Sequence, residues 1–366
     1  MNSRISTFAM FAIIVTVTLS ATARAAGPLV GWGANGFGQI NVPAGAFTAV
    51  AAGNSYSLAI RPNRTLVGWG YNGDGQINVP AGTFTAVATR LYHSLAISSD
   101  GTLAGWGYNG EGQINVPAGT FTAIAAGWYH SLAIRSDGTL AGWGNNSVGQ
   151  INVPAGTFTA VAAGYLHSLA IRSDGTLAGW GNNGNGQIDV PAGTFTAVSA
   201  GDYHSLEMRG DGTLAGWGYN ASGQINVPTG TFTAVAAGAW HGLAIRTDGT
   251  LVGWGLNDGG QTDVPTGLFT AIAGGGAHSL AIRVIPIPTV SARGLIAMTV
   301  LVLGAGAAVL TRRRATARIL GAPINSAVAA AALSSLGFSH SVLAEPAPVP
   351  SQTVALNVDS GFVSPT

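Results

Sequence analysis

The tripeptide Gly-Trp-Gly occurs seven times at a constant interval of 37 residues, with its tryptophans at Trp32, Trp69, Trp106, Trp143, Trp180, Trp217 and Trp254. A repeat of this length cannot bury its own apolar face and becomes stable only by stacking on its neighbours. The chain is therefore limited to solenoids, propellers and arrays. The repeat also sorts residues. What every copy carries serves the fold, and what varies at one fixed place is the better candidate for function.

The unit from Phe121 to Pro154 reads as four short strands. Phe121 to Gly127 is strand-like, and His130 to Arg135 alternates Leu132 and Ile134 against Ser131 and Ala133. Ser136-Asp137-Gly138 is a tight turn, Thr139 to Gly144 a third strand, Asn145 to Gly149 a loop, and Gln150 to Pro154 a fourth strand. Asp-Gly, at Asp100, Asp137, Asp174, Asp211 and Asp248, predicts hairpins whose two central residues both take positive φ. The first repeat has Asn63-Arg64 instead. Four strands joined by tight turns predict one propeller blade.

The Phe-Thr strand also occurs seven times, from Phe47 to Phe269. The repeats end at His278 to Arg283 without a final Trp strand, while Leu29 to Gly33 is a spare copy at the start. Supplying it closes the ring and leaves no end blade exposed. The expectation is an all-β, seven-bladed propeller over residues 29–283 in which both termini share one blade.

Only 8% of residues are charged, against roughly 25% in ordinary soluble domains. There is no lysine, and between Leu29 and Arg283 eight arginines face twelve acids. Such a balance gives no basic footprint and argues against nucleic acid as a partner. The absence of cysteine excludes disulfides, Cys-liganded zinc and thiol chemistry.

Both ends read as processing signals. Residues 1–25 carry Arg4, an apolar run from Phe8 to Leu19 and a small-x-small site at Ala23-Arg24-Ala25, the pattern of a secretory signal peptide. Residues 284–293 read as a linker. Gly294 to Thr311 is uncharged and mostly apolar, and Arg312, Arg313 and Arg314 follow it. Eighteen helical residues span roughly 27 Å, a membrane crossing with its arginines held on the cytoplasmic side. Ile287-Pro288-Thr289-Val290-Ser291, the apolar segment and the arginines together resemble the bacterial IPTL-CTERM sorting signal, related to PEP-CTERM tails. The resemblance implies a membrane sorting protease as a partner and residence in the cell envelope or at the surface. Such signals end at the arginines, whereas this chain continues from Ala315 to Thr366 as a disordered tail or a gene-prediction artefact; residues 312–366 are read as basic stop and tail.

Ala-Ala-Gly-x-x-His-Ser-Leu-Ala-Ile, Asp-Gly-Thr-Leu and Gly-Trp-Gly-x-Asn-x-x-Gly-Gln resemble the repeat of the regulator-of-chromosome-condensation family. The short period, with Gln-Ile-Asn-Val-Pro after the Trp loop, is most similar to secreted propeller-type β-lactamase inhibitor proteins. That resemblance implies that aromatics just before the repeat histidine, here Tyr92, Tyr129, Tyr203 and Trp240, contact a partner enzyme. The inserted elements and basic tail of the chromatin exchange factor are absent, so its activity is not carried over.

Histidine recurs at His93, His130, His167, His204, His241 and His278, with Tyr56 in the seventh place. Six equal copies suit a structural imidazole in each blade better than catalysis, which needs one unlike constellation. The acids are turn residues, or loop residues without pairing, and Asn72 to Gly75 lacks the density of a calcium loop. No nucleophile, phosphate loop, cofactor motif or metal motif stands out, so no catalytic residue is assigned and no enzyme is expected.

The two residues before each histidine vary: Asn54-Ser55, Leu91-Tyr92, Trp128-Tyr129, Tyr165-Leu166, Asp202-Tyr203, Ala239-Trp240 and Gly276-Ala277. Equivalent propeller loops open on one end, so these side chains share a face. Tyrosine and tryptophan anchor interfaces because they bury large area at small entropic cost. Tyr92, Trp128, Tyr129, Tyr165, Tyr203 and Trp240 are therefore the candidate ligand-binding residues. They would serve a protein partner, a glycan in a lectin-like reading, or a secreted enzyme under inhibition. The other reading is that they plug the channel.

Overall fold

The computed structural model describes residues 26–285. The leader over 1–25, the sorting motif, the apolar segment 294–311 and the tail lie outside the described residues. Among those described, all regular structure is β-strand, in six three-stranded sheets and one four-stranded sheet. A typical sheet runs Phe121–Ala126, His130–Arg135, Leu140–Gly144 in chain order, antiparallel throughout. The four-stranded sheet joins the two ends. Gly27–Gly33 pairs with His278–Arg283 on one side and with the two-residue strand Ala46–Phe47 on the other. The Phe-Thr strands stand beside one another in chain order, and the last, Phe269–Gly274, stands beside the first, Ala49–Ala52. The arrangement is that of a β-propeller.

The middle strand is buried on both faces because its sheet is sandwiched between two others. Its alternation puts large against small. Leu132 and Ile134 pack on Phe158, Ala163, Ala170 and Trp180 of the following sheet. Ala133 faces the other way, with Trp143, toward Leu95 and Ile97 of the preceding one. Phe, Trp, Leu and Ile thus fill the wedge between sheets, as their recurrence implies.

A polar chain crosses every such wedge. Trp180 donates Nε1–H to the carbonyl of Gln150 at 2.9 Å, and Ser168 donates its hydroxyl to the same oxygen at 2.8 Å. His130 of the preceding sheet lies 3.0 Å from Ser168 Oγ through Nε2. The serine has one hydrogen, already aimed at Gln150, so it accepts and the imidazole carries its proton on Nε2. The same bond joins His93 to Ser131, His167 to Ser205, His241 to Ser279 and His278 to Ser57. Tyr56 replaces histidine once and donates its hydroxyl to the His93 carbonyl at 2.6 Å. The chain breaks once. Gly242 stands where the other sheets have serine, and both nitrogens of the buried His204 have no partner. The ring also explains the glycine three residues before it in six of the seven repeats, since a Cβ on Gly127 would lie 2.3 Å from the His130 ring.

Two local expectations are corrected. Gln150 to Pro154 forms no fourth strand, because its backbone donors are already used. Ile151 N–H bonds Asn146 Oδ1 at 3.1 Å, Asn152 N–H the Gly149 carbonyl at 3.0 Å, and Val153 N–H the Ile151 carbonyl at 2.8 Å. Proline has no N–H to give. The segment therefore adds no strand, and six of the seven sheets are three-stranded. In the Asp-Gly hairpins only the glycine takes positive φ, 85° at Gly138, while Gly138 N–H bonds the Arg135 carbonyl at 2.8 Å. Asp137 instead accepts from both Thr139 N–H and its hydroxyl, at 2.9 and 2.7 Å. Arg64 fills the glycine place of the first hairpin with φ 66°, the one non-glycine residue at positive φ among those described.

Glu207 breaks the pattern inside a wedge. It replaces the alanine of the other middle strands, is fully buried, and neither carboxyl oxygen has a partner. Burial pushes its pKa up to about 8. Burial moves the histidines the other way, five of them down to about 3 and His278 to about 4.

Replacing Trp143 by alanine removes a side chain shared between two sheets and its bond to Gln113, and should cost about 3–5 kcal/mol in urea unfolding. The titrations predict a stability maximum at about pH 7, where the protons on six unfolded-state histidines balance the one held by folded Glu207. Below it the unfolded chain takes up protons on six histidines that the folded chain keeps neutral, so stability falls with acid. Above it, up to about pH 9, Glu207 dominates. Its raised pKa means that stability is lost as pH climbs toward 8. Thermal melts from pH 5 to 9 check both limbs, and Glu207→Ala should flatten the alkaline limb and steepen the acid one, where folded Glu207 opposes the histidine slope.

Candidate functional site

Each middle strand begins at the repeat histidine, or at Tyr56 in its place, so the loops before them and the Trp loops open on the same end. Six backbone bonds link the former loops around the axis. They run from Asn54 N–H to the Arg90 carbonyl, Trp128 to Gly164, Tyr165 to Asp202, Asp202 to Ala239, Ala239 to Gly275 and Gly276 to Gly53. They form the floor of a cup of about 640 Å³. Its wall includes Tyr92, Tyr129, Tyr203 and Trp240 from the histidine loops, with Phe37 and Leu256 from the Trp loops.

The six aromatics picked from sequence are all half-buried and belong to one belt. Its ring centroids lie 6.3 Å apart from Tyr129 to Trp128, 3.9 Å on to Tyr165, 5.2 Å to Tyr203 and 5.3 Å to Trp240. Their places differ. Tyr165 stands behind Trp128 rather than in the cup wall. Trp128 lies at the floor and donates Nε1–H to Asp202 Oδ1 at 3.1 Å. Sequence reasoning passed over Tyr108 and Tyr219, which extend the belt, with Tyr108 6.1 Å from Tyr92 and Tyr219 5.5 Å from Trp240. Both occupy the variable place just after Gly-Trp-Gly, so the signal was there.

Under the cup lies an ion pair. Arg90 Nη2 donates to Asp202 Oδ1 at 2.7 Å, with side chains 11% and 6% exposed, and Nη1 reaches the Ala200 carbonyl at 3.3 Å. Arg90 stands where the other repeats have glycine. With Leu91 and Trp128 it separates the cup from a second cavity of about 230 Å³, walled largely by alanine, at the remote end. The channel is thus plugged, but by these four side chains rather than by the aromatic belt as a whole.

Nothing near the cup forms a nucleophile with a base. Five of the six histidines bond the serine of the next sheet, whose proton is spent on a carbonyl, and His204 is buried in a wedge with no hydroxyl beside it. Among the described residues no three acids or histidines cluster to hold a metal ion.

Six segments, 47–76, 85–113, 121–150, 158–187, 195–224 and 232–261, match the Regulator of chromosome condensation (RCC1) repeat. Among solved structures, Prp20p of Saccharomyces cerevisiae, described with binding properties to Gsp1p and histones, is 17% identical with a TM-score of 0.62 over 72% of this chain and 93% of its own. Human WBSCR16 is 19% identical with a TM-score of 0.61, over 72% and 100%. The ectodomain of the Physcomitrella patens receptor kinase CR4 is 23% identical with a TM-score of 0.56, over 65% and 71%. At these identities the likeness shows the fold. A search of curated proteins finds no match.

Asp202→Ala would leave the Arg90 guanidinium buried without its counter-charge and should cost about 3–5 kcal/mol in urea unfolding. Asp202→Asn keeps an acceptor and should cost less.

Proposed function

For a chain built of RCC1-type repeats, we propose that the seven sheets are the blades of one closed propeller, and that this propeller is a non-enzymatic binding module. Its aromatic end engages a partner protein. The observation that carries this reading is the cup, a concave surface walled by tyrosine and tryptophan over a fixed floor. Such rings anchor interfaces because they bury large area while losing little side-chain freedom. Interfaces of this kind draw their affinity from a few such anchors. That Prp20p binds proteins supports the same role for this fold here.

The N-terminal signal sequence and the apolar segment before Arg312 support export and anchoring in the cell envelope, with a membrane sorting protease as processing partner. In that setting the partner is another envelope or secreted protein. An enzyme held by the aromatic face, as in the inhibitor propellers the repeat resembles, is one form of it. The excess of acids over arginines supports no role for nucleic acid.

The test is affinity capture from envelope extract with the exported domain and with a variant carrying Tyr92, Tyr129, Tyr203 and Trp240 changed to alanine. Trp128 is left in place because it belongs to the plug. Proteins retained by the parent and lost by the variant are the expected result. Identical captures would remove the aromatic face as the binding site. Release of the bound species by simple glycans would move the reading to a lectin.

A further inference from the structure

The two ends of the propeller differ in charge. Six of the seven middle strands begin at histidine, five end at arginine, as in His130–Arg135, and Arg61 directly follows Tyr56–Ile60. With Arg64, seven of the eight arginines between Leu29 and Arg283 therefore stand remote from the cup. Five of them lie over phenylalanine rings at 5.2–5.6 Å, and the hairpin aspartates surround them. At the cup end the balance is reversed. Asp74, Glu111, Asp189, Asp258 and Asp263 are exposed in or beside the Trp loops, Asp202 lies at the floor, and Arg90 is the one cation among them.

The floor acid is only partly satisfied. Asp202 is 5% exposed, and both of its side-chain bonds, from Arg90 and from Trp128, fall on Oδ1. Among the described residues Oδ2 has no hydrogen-bond partner, and the residue lines the cup. Around it stand Tyr129, Tyr203 and Trp240, whose ring faces carry the negative side of the aromatic quadrupole. A cation gains from both, and from the wider field that guides it in.

We propose that the cup receives an arginine or lysine side chain from a basic segment of a partner polypeptide, against the rings of Tyr129, Tyr203 and Trp240 and toward Oδ2 of Asp202. This rests on the reading of the aromatic end as a protein-binding face and gives that partner a charge. An acidic segment is repelled by the same field.

The test uses the full chain in neutral detergent and two labelled peptides, nona-arginine and its uncharged counterpart nona-citrulline, titrated by fluorescence anisotropy at low and high salt. Two variants accompany it, Tyr203→Leu with Trp240→Leu in the cup, and Asp74→Asn with Glu111→Gln and Asp258→Asn on the rim. Thermal melts confirm that both fold. The expected result is binding of nona-arginine that weakens with salt, about tenfold weaker binding of nona-citrulline, and about a tenfold loss in the cup variant. The rim variant should lose less and show a shallower salt dependence. Equal binding of both peptides, with loss in the cup variant, would overturn the cation while keeping the aromatic protein-binding face. Loss in the rim variant with none in the cup variant would overturn the cup as the site. Binding of neither peptide would overturn the inference outright.

Discussion

One carbonyl per repeat holds this structure together. The glutamine after each Trp loop offers its backbone oxygen to two donors of the next sheet, a tryptophan Nε1–H and, except where Gly242 stands, a serine hydroxyl. Where histidine and serine are both present, the serine then accepts from the preceding sheet's histidine. A buried acceptor must be satisfied, and here satisfying it fixes the register of one sheet against its neighbour. The apolar side chains fill the wedge, but dispersion is non-directional and would tolerate slippage. The glutamine carbonyl does not, because its donors sit 18 and 30 residues further on and move together. The histidine tautomer follows from it, since the serine's only proton is already aimed at that oxygen.

That is why so much of the fold is legible in the sequence. Trp143 and His130 recur because each meets the same neighbour in every repeat, and recurrence alone marks them as structural. The fourth strand is not legible in that way. Gln150 to Pro154 has the composition of a short strand, but Asn146 reaches ahead and takes a ladder donor, and local turns take the rest. Side-chain bonds over a few residues compete with sheet formation. The hairpins mislead for a similar reason. Asp137 holds Thr139 instead of entering the left-handed region, so one glycine suffices where two permissive residues were expected.

The candidate site is legible in outline and not in detail. Variation before each histidine points to Tyr92, Tyr203 and Trp240, and the structure gathers them at one cup. It also separates Trp128 and Tyr165 from them, by depth. The Arg90–Asp202 pair spans 112 residues and no local pattern links its members. Each announces itself only as a departure, arginine for glycine and aspartate for a neutral loop residue. Glu207 is a departure of the same kind within the core, set where alanine belongs and given no partner. Departures from a strict repeat thus carry two meanings, and their place, at the cup or inside a wedge, separates them.

The joining of the two ends within one sheet has a mechanical consequence. Gly27–Gly33 and His278–Arg283 are antiparallel neighbours, with Leu29 opposite Ile282, so the described chain enters and leaves at the same tip of the same ladder. Tension applied between those two points meets the inter-strand bonds one after another, as a zipper does, rather than all at once in shear. The seam would part at low force and strip Gly27–Gly33 from His278–Arg283 first. A pull on any two points inside the ring meets a continuous ladder and the wedge packing together. The molecule is therefore softest along the line that joins its own ends.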